Sequence, residues 1–165
     1  MENYIMLNGK RVDLTDEQIK KLGFEIKKDD YFNKRNKNEG YYYMDSTANV
    51  TYTPDIYKNI DDKRYNTANY CANRELLEQR ALHETLSRLL WRFSMQNDGD
   101  KIDWDNLEAS KYYIYYDCFN KVFHMYNDNT CRRIGTVYFY SRSIAAKAIN
   151  EIILPFMKEH PEFVW

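Results

Sequence analysis

Polar and apolar residues follow two rhythms along this chain. Short tyrosine-rich stretches with strand-like patterning are each followed by stretches with a helical period. Tyr4 to Leu14 reads as a β-hairpin, because Asn8-Gly9 supplies both positive-φ positions of a type I′ turn and sets Ile5 opposite Val12. Thr15 then stands as an N-cap with Gln18 three residues on, which predicts a capping box. Leu14 is placed to staple onto Ile19, and Gly23 to end the helix. A hairpin and two helical turns bury too little to fold alone, so residues 1–28 are expected to be an appendage that docks on something.

Residues 29–40 are polar and of mixed charge and read as a linker or exposed loop. From residue 41 the pattern becomes ββ-β-α. Tyr41 to Met44 and Val50 to Thr53 flank a turn that starts at Asp45. A loop from Asp55 to Lys63 leads to a third strand expected around Tyr65 to Cys71. Asn73 caps a long helix to about Met95. On its wheel Leu82, Leu86, Leu89, Leu90 and Phe93 form the core stripe. Leu77, Trp91 and Met95 lie together on another side beside Arg88, so the helix is expected to sit between two layers. After an acidic stretch at residues 98–111, the plan recurs in residues 112–165. Strands Tyr112–Tyr116, Val122–Tyr126 and Thr136–Tyr140 come first, then Ser141 as cap and a helix from Arg142. Ile144, Ala145, Ala148, Ile149 and Ile152 form its buried face, and Pro155 is expected to end or kink it.

The two stretches align. Tyr41, Tyr43, Asp45 and Val50 fall on Tyr113, Tyr115, Asp117 and Val122 at an offset of 72, since 113 − 41 = 72. Arg64, Tyr70, Asn73 and Leu77 fall on Arg132, Tyr138, Ser141 and Ala145 at 68, since 132 − 64 = 68. The four-residue difference falls in the loop before the third strand, where length costs little. The reading is an α+β protein: an N-terminal hairpin and short helix, then residues 41–97 and 112–165 as tandem ββ-β-α repeats forming antiparallel sheets covered by helices. Phe163 and Trp165 are expected to pack down.

Composition narrows the partners. The chain has 165 residues, enough for a core without staples, and Lys+Arg 24 against Asp+Glu 25 argues against a uniformly basic nucleic-acid footprint. The 16 Tyr outnumber the 8 Phe and 3 Trp together and imply half-wet strand surfaces. Cys71, Cys118 and Cys131 lack metal spacing and are expected as free thiols in a reducing compartment. No leader-like run opens the chain and no run reaches the roughly 18 apolar residues of a membrane span, so a cytoplasmic protein with no membrane partner is expected.

Candidate chemistry is thin. His83, His124 and His160 stand apart, with no metal spacing. Asp98-Gly99-Asp100 suggests a calcium loop, but with Gly99 at position 6 the leading acid is replaced by Ser94. Neither a phosphate-cradling glycine loop nor a nucleophile elbow occurs. No catalytic, cofactor or metal residue is therefore assigned, and the chain is expected not to be an enzyme. Arg133-Ile134-Gly135-Thr136-Val137-Tyr138-Phe139 has the outline of an RNA-recognition strand, but Ile134 and Thr136 fill the stacking positions and cannot stack. Tyrosines beside Arg132 and Arg133 leave single-stranded nucleic acid as an alternative ligand of the sheet surfaces. Aromatic and arginine side chains anchor interfaces, so the candidate partner-binding residues are Arg88, Trp91, Trp104, Arg132 and Arg133.

Several motifs together resemble a family of small phage and prophage proteins of Gram-positive gut bacteria. They are Leu7-Asn8-Gly9-Lys10 with Val12, Leu14-Thr15 and Glu17-Gln18; Tyr41 to Asp45; Arg64 to Tyr70; Tyr112 to Asp117; and Gly135 to Ser141 with Ala145 and Ala148-Ile149. The likeness covers most of residues 4 to 153. Cys71 departs from it by replacing the usual aromatic, and acids are missing after Ser141. The resemblance implies a phage accessory protein that binds a host defence protein without catalysis. Its sharpest form is inhibition of a CRISPR effector nuclease, as anti-CRISPR proteins do.

Overall fold

The computed structural model describes residues 4–7, 10–22, 31–56 and 58–165. The chain divides into two compact units, residues 1–33 and 34–165. In the first unit β1 (Tyr4–Leu7) pairs antiparallel with β2 (Lys10–Asp13), Ile5 opposite Val12, and α1 spans Asp16–Lys21. The capping box is closed from both sides. The Thr15 N–H donates to Gln18 Oε1 at 2.8 Å, and the Gln18 N–H donates to Thr15 Oγ1 at 3.3 Å. The expected Asn8-Gly9 turn, the Gly23 stop and the Ile19 staple contact lie outside the described residues.

The second unit is α+β with antiparallel sheets. β3 (Gly40–Met44) pairs with β4 (Val50–Pro54), and β5 (Lys111–Asp117) lies between β6 (Val122–Asp128) and the short β7 (Tyr138–Phe139). Between the sheets in sequence run α2 (Lys58–Asn66) and α3 (Arg74–Gln96). Asn73 caps α3 through Leu76 N–H at 3.0 Å, and Ser141 caps α4 (Arg142–Ala148) through Ile144 N–H at 3.3 Å. The two predicted caps hold, at the predicted offset. Asp45 and Asp117 likewise each accept backbone N–H groups of the following turn, from Thr47 and Asn49 and from Phe119 and Asn120.

The third strand of the first repeat is a correction. Residues expected at its start, Tyr65 and Asn66, belong to α2, which also takes up most of the expected Asp55–Lys63 loop. Asp61 in its first turn and Lys63 and Arg64 in its last suit the helix dipole, and no alternating pattern competes. Only Cys71 reaches β3 as a bridge, exchanging both backbone hydrogen bonds with Tyr42 at 2.7 and 2.9 Å. Two residues earlier the Asn69 side-chain amide stands in for a strand, accepting from Met44 N–H at 2.7 Å and donating to Met44 O at 2.6 Å. Part of the expected linker is also tied down: Asn38 N–H donates to Asp55 O at 3.0 Å and Asp55 N–H to Glu39 O at 2.9 Å.

The core lies along one stripe of α3. Leu86 packs with Ile153, Phe156 and Phe163, while Phe93 packs with Phe139, Ala145 and Ala148. Leu82, Leu89, Leu90, Ile114, Phe123 and Met125 fill between. At Pro155 the structure shows how a helix absorbs a proline. The chain widens into a π turn at Ile149–Ile153, and Pro155 sits in the first turn of α5 (Leu154–Glu159), where its missing N–H leaves no bond broken. Phe163 is buried and Trp165 packs against Phe123, Tyr116 and Phe163.

Candidate binding surfaces

The five candidate residues fall into two groups. Arg88 and Trp91 lie one turn apart on α3. Leu77 and Ala81, at the start of the same helix face, are buried, whereas Trp91 is 60% exposed and Met95 lies at the surface. The expectation that Trp91 and Met95 are sandwiched between layers is thus corrected. Only the N-terminal half of this face is covered, because the β3–β4 hairpin is two strands wide and five residues long. Arg88 is held by Glu84 at 3.2 Å, which leaves its guanidinium at the surface.

Trp104, Arg132 and Arg133 meet at one end of the β6-β5-β7 sheet. The Trp104 ring stands edge-on to Tyr138 at 4.9 Å, Arg132 lies 4.9 Å over the Trp104 ring and Arg133 lies 5.0 Å over Tyr113. The loop that carries the arginines is positioned by the Tyr138 hydroxyl, which accepts from Arg133 N–H at 3.0 Å and donates to Cys131 O at 3.2 Å. Beneath it Lys111 is 1% exposed, and its ammonium donates to the carbonyls of Asn106 and of Asn129, the latter at 3.1 Å. That one buried cation ties the loop bearing Trp104 to the loop bearing the arginines. Gly99 sets the start of the first loop: a Cβ there would come within 2.7 Å of the Ser94 backbone, so only glycine lets the chain cross α3 so closely.

The sheet's two faces differ. Tyr112, Ile114, Met125 and Phe139 point into the core. On the other face Tyr113 pairs with Tyr126 and Tyr115 with His124, the latter rings stacked at 5.2 Å. From the sequence Tyr115 stands out only as a repeat position and His124 only as a lone histidine, while Tyr126 and Lys111 do not stand out as site residues. The period-two pattern of Tyr113 and Tyr115, read with the register set by the Asp117–Val122 turn, contains the signal for the three rings. The buried lysine leaves none.

A second polar cluster, also unforeseen, lies under α2. The Tyr41 hydroxyl donates to the Asp61 carboxylate and accepts from Arg64 at 2.9 Å, and Arg64 lies 3.4 Å over the Tyr43 ring. The Tyr70 ring stacks on Tyr41 at 3.8 Å, and its hydroxyl donates to Asp55 at 3.1 Å. Burial, and then the bond to Asp61, push the Tyr41 phenol up to about 12; burial pushes Tyr70 up as well. Phenols held protonated this firmly act here as fasteners between α2 and β3.

Among the described residues two concavities stand out. The larger, about 960 Å³, runs along the first turns of α3 between the β3–β4 turn and the C-terminal segment, and includes Glu75, Leu82, Thr85 and His160. The smaller, about 180 Å³, is lined by His83, Leu90, Val137 and Trp165. Among the described residues no group of three or more His, Cys, Asp or Glu side chains is placed to hold a metal ion. No helix among them is long and apolar enough to cross a membrane. Cys71 is buried, Cys118 and Cys131 are exposed, and all three are free. No family model, no curated protein and no solved structure matches this chain.

Proposed function

We propose that the chain is a phage or prophage accessory protein that works in the bacterial host cytoplasm by binding a host protein rather than by turning over a substrate. In its narrowest form it inhibits a CRISPR effector nuclease. The observation that carries the binding reading is the bare half of the α3 face, where Trp91, Arg88 and Met95 extend a stripe whose other half the chain itself covers. An exposed tryptophan beside an arginine on a long, capped helix has the composition and rigidity of an interface anchor. The narrowing to phage and to host defence comes from the resemblance of the hairpin–helix and tyrosine-strand motifs. Co-purification of the tagged chain with CRISPR effector complexes, read beside protection of a targeted plasmid, tests it. Association that weakens roughly 30-fold in Trp91→Ala, the loss expected of a hot-spot residue, is the supporting result. Absence of effector nuclease from the purified complexes removes the CRISPR form, and undiminished binding by Trp91→Ala removes the α3 face.

A further inference from the structure

We infer that the outer face of the β6-β5-β7 sheet is a binding surface for single-stranded nucleic acid, gripped by stacking and by two arginines without reading sequence. This stands apart from the α3 face and survives its failure.

Three observations carry it. The rings form a row: Trp104, Tyr138, Tyr113 and Tyr126 pack edge to face across the strands at centroid separations of 4.9, 5.6 and 6.0 Å, with Tyr138 and Tyr113 buried as its base, and the Tyr115–His124 stack lies two residues further along. Tyr126 is 57% and Tyr115 43% exposed, and with one face of Tyr115 taken by His124 they offer the ring surface that a base can reach. Every base has a π face, which makes a tyrosine platform tolerant of sequence. The second observation is charge. Arg132 and Arg133 lie over rings at one end of the row, and among the described residues neither is in an ion pair, the Asp128 carboxylate acting on Arg133 from further off; both guanidinium groups can meet a phosphate. The third is rigidity. The loop that presents the arginines is fixed by the Tyr138 hydroxyl and, through Asn129, by Lys111, so little ordering cost falls on binding.

The near-zero net charge, with Asp117 at the far end beside His124, sets the expected strength. Two phosphate contacts on a chain of net −1 place the dissociation constant on the order of 1–100 µM at low salt.

Fluorescence polarisation of labelled dT12 and U12 on the full chain tests it. Both oligonucleotides are expected to bind at 50 mM salt and to weaken about sevenfold by 200 mM, the slope for two neutralised phosphates on a single strand. Tyr126→Ala is expected to lose roughly tenfold and Tyr126→Phe to bind as the parent does. The pair Arg132→Ala and Arg133→Ala should flatten the salt dependence, whereas Lys147→Ala, on the helix behind the sheet, should change nothing. Binding of only one of the two oligonucleotides still supports the surface and identifies the sugar it prefers. Failure of both to saturate at 50 mM salt overturns the inference. So does parent-like binding by Tyr126→Ala, or equal affinity for a 12-base-pair duplex.

Discussion

The two sheets of the larger unit each carry a buried tyrosine pair at matching positions, Tyr41 with Tyr70 and Tyr113 with Tyr138. They differ in what lies on top. Over the first pair, α2 brings a carboxylate and a guanidinium, so the Tyr41 hydroxyl is bonded on both sides and Arg64 covers Tyr43. Over the second pair, among the described residues, lie Arg133 of a loop and Trp104. Tyr115, which matches Tyr43, stands 43% exposed. The same buried pair thus sits under a helix in one half, and in the other it is flanked by the exposed rings of Tyr115 and Tyr126. The covering segment, not the strands, decides which.

Breaking the cover of the first half should have the largest effect. Asp61 is 1% exposed and holds both Tyr41 and Arg64, so Asp61→Ala leaves the buried Tyr41 hydroxyl and the partly buried Arg64 guanidinium without their carboxylate and should cost about 3 kcal/mol in urea unfolding. In the second half the corresponding fastener is Lys111. Lys111→Met keeps the stem but takes the ammonium donor from the Asn129 carbonyl and from the Asn106 carbonyl, which keeps the Ala109 N–H at 3.3 Å, a cost of about 1–3 kcal/mol by the same measurement.

A pH series sharpens the contrast. The folded-state pKa of Tyr41 lies above the ordinary phenol value, so its contribution is complete below pH 10 and is lost as pH rises toward about 12. Alkaline unfolding followed by phenolate absorbance should show this loss, and Tyr41→Phe should remove that part of the pH dependence. Tyr138→Phe removes the hydroxyl that positions the arginine loop and should cost about 1 kcal/mol, with faster amide exchange at Arg133. The smallest effect belongs to the platform itself: Tyr126→Ala should change stability by no more than about 0.5 kcal/mol, because that ring is 57% exposed. A large loss there would mean that the second pair is covered as the first is.

Much of the fold was legible because its signals are local. Thr15 with Gln18, Asn73 and Ser141 cap helices through bonds spanning three residues, and Asp45 and Asp117 close turns through bonds spanning two to four. The segment around Tyr65 was misread because Asn69 and Cys71 do lie along β3, yet a side-chain amide makes one of the two contacts. An aromatic count cannot distinguish a strand from a side chain imitating one. Of the candidate site, Trp104, Arg132 and Arg133 were legible as residue types but not as neighbours, since Trp104 and Arg132 are separated by a whole hairpin. Trp91 was expected inside because the wheel shows where apolar residues point, not how far the covering sheet extends.

By itself, then, the sequence determined the elements with short-range logic: the capped helices, the Asx-closed hairpins, the α+β class and the matching positions of the two halves. Tertiary structure decided what depends on residues far apart in the chain. It placed Asp61 against Tyr41, threaded Lys111 between two loops, gave Pro155 a π turn and left Tyr115 and Tyr126 exposed. The physical reason is reach. A cap or turn satisfies its donors within a few residues, whereas a buried charge or an uncovered ring acquires its meaning only from whatever else the fold brings against it.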